Sequence, residues 1–206
     1  MLEVAKQTPD CDDIRAQLED ELCDTYFCNF SLFQSVPDSW AVGQLFPVLP
    51  IHRLDEEPSH AATLADLTCD SDGKITKFID AENGTYRKTM PVHYLNNNEP
   101  YYLGVFMTGA YQEILGDLHN LFGDTDAVHV SLSEAGYTID HYIPGDTVTE
   151  VLSYVQYGRA ELVDYVRQAT ETGIQKATIT KQEAKLLIKH YEDGLSGYTY
   201  LEEAEQ

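Results

Sequence analysis

The chain has 206 residues, of which 43% are hydrophobic, and its 13 basic and 35 acidic residues give a formal net charge of −22. This hydrophobic fraction supports a folded core and excludes wholesale disorder. The charge excludes nucleic acid as an expected partner, because phosphates and an acidic surface repel each other.

The acidic residues concentrate at the two ends of the chain, in residues 10–24 and 202–205. They indicate a solvated, solubilising surface, and adaptation to a salty environment is the alternative that composition leaves open. The length fits one large domain, or one domain with an appendage.

Four cysteines lie at irregular spacing, at Cys11, Cys23, Cys28 and Cys69. The chain has no C-x-x-C pair, so neither a zinc ribbon nor a thioredoxin-type site is indicated. We also find no secretory signal and no apolar stretch near the roughly 20 residues that span a bilayer. We therefore expect reduced thiols in a cytoplasmic protein without a membrane partner.

The amino-terminal half of the chain has mainly strand-like patterns. Asp10 or Asp12 could cap a short acidic helix whose apolar residues Ile14, Leu18 and Leu22 share one face. After it, residues 26–33 are rich in aromatic side chains and predict a strand. Further strands are predicted at residues 45–51, 62–67, 75–79, 85–92 and 101–107, with a loop at 96–100.

The carboxy-terminal half becomes progressively helical. Apolar spacing predicts a helix over 111–121 that ends at Gly123, and residues 127–132 and 137–143 predict a hairpin. Three helices are expected at residues 148–157, 159–172 and 181–193. Asp146 or Thr147 is the expected N-cap of the first of these helices, and Thr180 with Glu183 forms a capping box for the last.

About eight strands, one inserted helix and a helical appendage, without alternating βαβ units, favour a mainly β chain with some α-helix. We predict a β-sandwich or partly closed β-barrel, followed by a small helical region. The predicted domains are an amino-terminal helix at 1–24, the β domain at 25–145, the helical region at 146–200 and an acidic tail at 201–206.

Two segments could carry chemistry. In residues 68–73, Cys69 and Asp70 form part of a turn after an apolar strand. A thiol beside carboxylates is expected to stay protonated, because negative charge disfavours the thiolate, and it could then donate a proton. The carboxylates of Asp70 and Asp72 suit a cationic ligand. The alternative is an ordinary turn with a small buried cysteine.

The second segment is the step Gly109-Ala110-Tyr111 at the start of the predicted helix. Gly109 allows close backbone approach, and Tyr111 would present a hydroxyl where a phosphate could bind. The alternative is a tyrosine that packs between strand and helix. No metal site is predicted: the scattered histidines have no ligand spacing, and a calcium loop counted from Asp70 would place Ala81 where a glutamate is required.

Both segments lie in longer runs that resemble the arginine decarboxylase family, which uses pyridoxal phosphate (PLP) and an alanine-racemase-like barrel. The resemblance extends from about residue 24 to about residue 201. Its runs are residues 29–35, 50–58, 69–74, 101–104 and 109–123.

The resemblance implies a role for each candidate residue. Cys69 would protonate the carbon from which carbon dioxide has left, Asp70 would recognise the cationic side chain of arginine, and Tyr111 would bind the PLP phosphate. It further implies that the product is agmatine for polyamine synthesis, that active sites lie at a dimer interface, and that Mg²⁺ accompanies the full enzyme. In this family a (β/α)8 barrel holds the cofactor.

The barrel's Schiff-base lysine, its glycine-rich phosphate loop and its acid for the pyridine nitrogen have no counterpart in this sequence. The Asn-Asp step of the related ornithine enzymes has no counterpart either, because Asn29 is followed by Phe30. We therefore expect a fragment or one half of a split enzyme, inactive without its barrel domain. The alternative is a non-enzymatic module that docks on a full-length decarboxylase. With the barrel absent, an exposed apolar face of the β domain would favour a homo-oligomer.

Overall fold

The computed structural model describes residues 22–96 and 99–202. The chain divides into two compact units, Met1–Asp117 and Leu118–Gln206. The helix predicted before Leu22, Cys11, and two residues of the predicted loop lie outside the described residues. The four predicted domain ranges stay a prediction.

The first unit is organised around the strand β3 (His60–Ala65). One edge of β3 pairs in parallel with β1 (Asp24–Phe27). Antiparallel to β3 run β4 (Lys74–Ile75) and β7 (Met90–Val92). Two further antiparallel pairs join β2 (Val48–Pro50) to β8 (Leu103–Val105), and β5 (Phe78–Asp80) to β6 (Thr85–Arg87).

The core of the first unit follows from the alternation of side chains along these strands. Ala62 and Leu64 of β3 are buried, as are Met90 and Val92 of β7. Burial of each large apolar side chain contributes about 1.5–3 kcal/mol. The other members of the cluster are Tyr26, Leu32, Val36, Phe46, Ile75 and Phe78.

Three short helices accompany this sheet: α1 (Leu32–Ser35), α2 (Pro37–Ala41) and α3 (Ala110–Ile114). The strand predicted over 26–33 is therefore wrong beyond Phe27. The chain turns there because Ser31, which is buried, caps α1 by accepting a hydrogen bond from the amide of Gln34 at 3.4 Å.

The helix predicted over 111–121 is wrong in length, because it ends at Ile114. Beyond it, the backbone at Gly116 lies against α1, where an added Cβ would be 2.6 Å from the carbonyl oxygen of Gln34. A separate 3-10 turn covers His119–Leu121. The strands predicted at 75–79 and 85–92 each divide into two short strands, and that at 101–107 shortens to β8.

The second unit begins with the predicted hairpin, which is confirmed as β9 (Ala127–Ser133) and β10 (Gly136–Ile143). A bulge between Ile139 and His141 keeps apolar residues opposite one another. One face of the hairpin consists of aliphatic and tyrosine side chains and is exposed. Its members are Val128, Val130, Leu132, Tyr137, Ile139 and Tyr142.

The three predicted helices of the second unit are confirmed as α4 (Val148–Tyr154), α5 (Arg159–Gln175) and α6 (Lys181–Leu195). They bury Val151, Val163, Ala184 and Leu195. Within the described ranges, no helix combines the length and apolar character needed to cross a bilayer.

Capping boxes begin both α4 and α6. Thr147 caps α4 with Glu150, and Thr180 caps α6 with Glu183, as predicted for the latter pair. Hydrogen bonds from the backbone and side chain of each threonine lower the pKa of the glutamate from its ordinary value of 4.5. Each carboxylate therefore contributes stability above the pKa that it has in the unfolded chain, and this contribution is lost as the pH falls through the lower folded pKa.

We expect acid to loosen α4 and α6 below about pH 4.5, where the unfolded chain begins to bind protons that the capped carboxylates exclude. The variant Glu150→Gln, Glu183→Gln should show a shallower loss of unfolding free energy over this range, measured by urea denaturation and far-UV circular dichroism. Glu171→Gln on α5 is the matched control. Parallel acid profiles for the double variant and the unmodified chain would contradict the prediction.

Taken together, the described residues form a mixed α/β structure with no closed barrel among their strands. The predicted order, strands followed by a helical region, is thereby confirmed, whereas the chain is mixed α/β and not mainly β, because its described helices hold more residues than its described strands. The β-sandwich architecture stays a prediction.

Candidate functional site

The turn that carries Cys69 is anchored by a buried carboxylate, that of Asp66, which is 2% exposed. One of its oxygens, Oδ1, accepts hydrogen bonds from the backbone amide of Thr68 at 2.9 Å and from the Thr68 hydroxyl at 2.8 Å. The other, Oδ2, accepts from the amide of Leu32 at 2.8 Å. A single side chain thus joins the end of β3, the turn and the start of α1.

Within the turn, Asp70 shapes the backbone. Its Oδ1 accepts a hydrogen bond from the amide of Asp72 at 2.8 Å, and its carbonyl accepts from the amide of Gly73 at 3.1 Å. The first of these bonds is that of an Asx turn, and the second is that of a β-turn. Cys69 is exposed at the tip and Asp70 is half-buried beside it. Asp70 therefore has a local structural role besides the role in substrate binding predicted for it.

Gly73 closes the turn because the backbone there lies directly on the anchor. Its carbonyl accepts from the amide of Asp66 at 2.8 Å. A Cβ added at Gly73 would be 2.2 Å from Asp66 Oδ1 and 2.6 Å from the Thr68 hydroxyl oxygen. Only glycine fits this position without displacing the carboxylate.

Tyr111 lies in the first turn of α3 and is 76% exposed. The helix is held from its other side by Gln112, which is buried. The Gln112 amide nitrogen donates to Asp38 Oδ2 at 2.6 Å, and the amide of Asp38 donates to Gln112 Oε1 at 3.1 Å. With Gln112 turned inward, the phenol of Tyr111 points to solvent.

The helix α2 is bonded to both candidate segments. Its Asp38 holds α3 through Gln112, and the indole N–H of Trp40 donates to Asp72 Oδ2 in the Cys69 turn at 3.4 Å. The structure therefore attaches the turn of Cys69 and Asp70 and the helix of Tyr111 to one short element. The roles of these three residues stay predictions.

A cleft of about 380 Å³ lies beside the Cys69 turn. Trp40 and Asp72 line it together with the lysines of β4 and its neighbourhood, Lys74 and Lys77. Neither Cys69 nor Tyr111 is among its lining residues, so the cleft borders the candidate site without containing the predicted chemical groups.

His93, one of the histidines considered in the sequence, is a buried residue with both ring nitrogens bonded. The amide of His93 donates to the Tyr101 hydroxyl at 3.0 Å, and that hydroxyl lies 2.7 Å from Nδ1. Nε2 is 3.0 Å from the carbonyl oxygen of Glu56. Nε2 can only donate to that carbonyl, so in the neutral imidazole Nδ1 accepts from the Tyr101 hydroxyl. Throughout the described ranges, no three His, Cys, Asp or Glu side chains are grouped as ligands for a metal.

Cys28 contrasts with Cys69. Burial raises the pKa of the Cys28 thiol to about 11, and the thiol contacts the carbonyl oxygen of Tyr26 at 3.6 Å. A thiol in such surroundings stays protonated and reacts slowly. The exposed thiol at Cys69 is therefore the better candidate for chemistry of the two.

Sequence reasoning missed Asp66, Trp40 and Gln112, which hold the candidate residues in place. Asp66 could have been found, because it continues the buried face of β3 after Ala62 and Leu64 and is the polar residue of that face. A carboxylate at an inward position signals a specific set of donors. Trp40 and Gln112 have no comparable signal, since their partners lie far away in the chain.

Comparisons with known proteins cover both units. The family model for the arginine decarboxylase C-terminal helical extension matches residues 148–201. A biosynthetic arginine decarboxylase of Gloeobacter violaceus is 55% identical over 191 residues, which cover 90% of this chain and 29% of the relative. One from Thermosynechococcus vestitus is 51% identical and covers 98% of this chain and 31% of its own length.

Among solved structures, the crystal structure of the biosynthetic arginine decarboxylase SpeA from Campylobacter jejuni is similar, with a TM-score of 0.73 and 34% sequence identity. The similarity covers 86% of this chain and 29% of that one. The chain thus spans under a third of the length of the relatives it matches.

Proposed function

Because this chain belongs to the biosynthetic arginine decarboxylase family, we propose that it supplies one side of an active site that converts L-arginine to agmatine and carbon dioxide. The carrying observation is the Cys69 turn, built on a buried carboxylate and bonded through α2 to the helix of Tyr111. The rest of the site is assigned to the part of the relatives that this chain does not match, where we expect the barrel domain.

The residues present fit one edge of PLP. The hydroxyl of Tyr111 is exposed on a turn where Gly109 leaves open space, since an added Cβ there would have no atom within 4 Å. A phosphate group could therefore reach this hydroxyl and accept its hydrogen bond. Bound PLP supplies the electron sink that makes loss of carbon dioxide from the substrate possible.

The chemistry left to this chain is proton delivery and recognition. Cys69 presents its thiol at an exposed position, and in the proposed step the thiol proton passes to the substrate carbon that has lost carbon dioxide. Asp70 offers a carboxylate to the guanidinium of arginine, a charge-assisted pairing for which a planar cation is well suited. Cys69 and Asp70 are adjacent in the chain, so both are available to one bound arginine, whose guanidinium and α-carbon lie at its opposite ends.

A surface around these residues supports docking of a complementary domain. Exposed apolar side chains lie on β1, on α2 and its end, and on α3 and the turn before it. They are Phe27, Trp40, Val42, Met107, Ile114 and Leu115. Apolar side chains exposed in such number mark an interaction surface. We assign it to the barrel domain, and in its absence to a second copy of this chain.

The proposed function is tested by reconstitution. The chain is mixed with the amino-terminal two-thirds of the Gloeobacter violaceus relative, and release of labelled carbon dioxide from L-arginine is measured with PLP present. We expect activity in the mixture and none from either part alone, because neither part holds all the groups. Sedimentation of the chain alone over a range of concentrations should show self-association.

Each other outcome is informative. Strong arginine-dependent release from the chain alone would contradict the incomplete site. Stable binding to the complementary part or to a full-length decarboxylase without restored activity would favour the docking module instead. A chain that is strictly monomeric at all concentrations would contradict the proposed homo-oligomer.

A further inference from the structure

We propose that Asp66 is a positioning residue for the candidate proton donor: its carboxylate sets where the Cys69 turn stands. This inference rests on the proposed function for its catalytic meaning. Asp66 itself is buried beneath the turn and is not assigned any contact with substrate.

Both oxygens of the buried Asp66 carboxylate are hydrogen-bonded. Burial of a carboxylate is costly unless hydrogen bonds replace its water. Its three donors are the amide and hydroxyl of Thr68 and the amide of Leu32, at 2.8–2.9 Å. An asparagine could keep only one oxygen acceptor and would turn an NH₂ group towards an N–H donor. Only a carboxylate satisfies both sides at once.

The hydrogen bonds of Asp66 connect the core of the first unit to the Cys69 turn. Oδ2 accepts from the amide of Leu32 at the start of α1, and the Leu32 side chain is fully buried in the core. Oδ1 is bonded to the turn one residue before Cys69. Because Leu32 is fixed in the core, the carboxylate bonded to it also fixes the position of Thr68. A neighbouring hydrogen bond, from the amide of Leu67 to the carbonyl of Phe30 at 3.0 Å, also ties the start of the turn to the segment before α1.

The far end of the Cys69 turn also closes on Asp66. Gly73 returns to Asp66 through the backbone bond, so both ends of the turn meet at one residue. Cys69 therefore lies at the tip of a loop whose two ends are fixed together. A proton donor must stand within a fraction of an ångström of its productive position, and a misplacement of about 1 Å can cost about 100-fold in rate.

Trp40 gives a direct readout of the turn, because it is the single tryptophan of the chain and its indole N–H is bonded to Asp72. It is 53% exposed, so its emission and its quenching by acrylamide respond to the turn's position. We expect Asp66→Asn to increase the quenching of Trp40 in the folded chain. Met90→Ala is the matched control: it removes side-chain atoms from the same core without changing the turn, and it should leave the quenching of Trp40 unchanged.

The catalytic part is tested by a double-variant cycle in the reconstituted enzyme. We expect Asp66→Asn to lower kcat by about 10- to 100-fold when Cys69 is present. In a Cys69→Ala background the same substitution should change kcat by less than about twofold, because the misplaced group is already gone. A general loss of stability would instead lower kcat equally in both backgrounds.

Thr68→Val keeps the test decisive if Asp66→Asn does not fold. It removes the hydroxyl that donates to Asp66 and that accepts from the amide of Asp70 at 3.4 Å, and it leaves both backbone donors to Asp66. It should shift Trp40 quenching in the same direction. Unchanged quenching in both variants, or equal kcat losses with and without Cys69, would overturn the proposal. If reconstitution yields no activity, the proposed function fails, while the Trp40 measurement still decides whether Asp66 holds the turn.

Discussion

In the reconstituted enzyme, replacement of Cys69 by alanine is expected to lower kcat by about 100- to 10,000-fold, the contribution of a positioned general acid. The KM for arginine should change little, because the thiol is assigned to proton delivery and not to binding of the guanidinium. Steady-state kinetics with labelled arginine, at saturating PLP, separate the two constants.

Asp70→Asn is expected to raise the KM for arginine and to change kcat little. The asparagine keeps the Oδ1 atom that accepts from the amide of Asp72, so the turn is preserved while the charge is removed. Loss of a charge-assisted hydrogen bond of about 1.5–3 kcal/mol corresponds to a rise in KM of about 10- to 150-fold. Ser71→Ala, an exposed neighbour in the same turn, is the matched control.

For the first of these two predictions, a Cys69→Ala variant with unchanged kcat would remove Cys69 from the mechanism.

Gly73→Ala is expected to lower the free energy of unfolding of the first unit by about 2–4 kcal/mol, through overpacking and loss of hydrogen bonds at a buried carboxylate. The added methyl would meet Asp66 Oδ1 at 2.2 Å, closer than any relaxed contact allows. Urea denaturation followed by Trp40 fluorescence reports on this unit, since Trp40 lies in it.

Gly109→Ala is the matched control, because it adds the same methyl group in open space on the other candidate segment. It should lower the unfolding free energy by less than about 1 kcal/mol, because Gly109 is the N-cap of α3, where alanine is less favourable than glycine, but the added methyl meets no atom. Equal losses for the two variants would show that the close approach at Gly73 does not limit stability.

The elements that the sequence predicted well are those decided by neighbouring residues. Thr180 and Glu183 lie three positions apart and form their capping box within one turn of helix, so the pattern and the structure agree. The hairpin of β9 and β10 follows likewise from two alternating runs around Gly136.

The elements that were mispredicted depend on distant partners. The helix after Gly109 ends early because Gly116 lies against the carbonyl of Gln34. The strand after Tyr26 ends because α1 begins at Leu32, whose amide is bonded to Asp66. Neither contact leaves a mark in the local pattern of apolar residues.

For the candidate site, the chemical residues could be proposed from the sequence and their supports could not. Cys69, Asp70 and Tyr111 lie in runs that resemble a known family, so their roles could be stated as predictions. The support of Tyr111 is a pair of hydrogen bonds between Asp38 and Gln112, 74 positions apart. Such a pairing depends on how α2 and α3 fold together.

The apolar face of the hairpin has a consequence for handling the purified chain. Both outer edges of β9 and β10 lack a strand partner among the described residues, so each can template a further strand. The net charge of −22 keeps molecules apart at low ionic strength, whereas added salt shortens the reach of that repulsion. The colloidal stability of this chain should therefore fall as salt rises, with precipitation beginning at the hairpin.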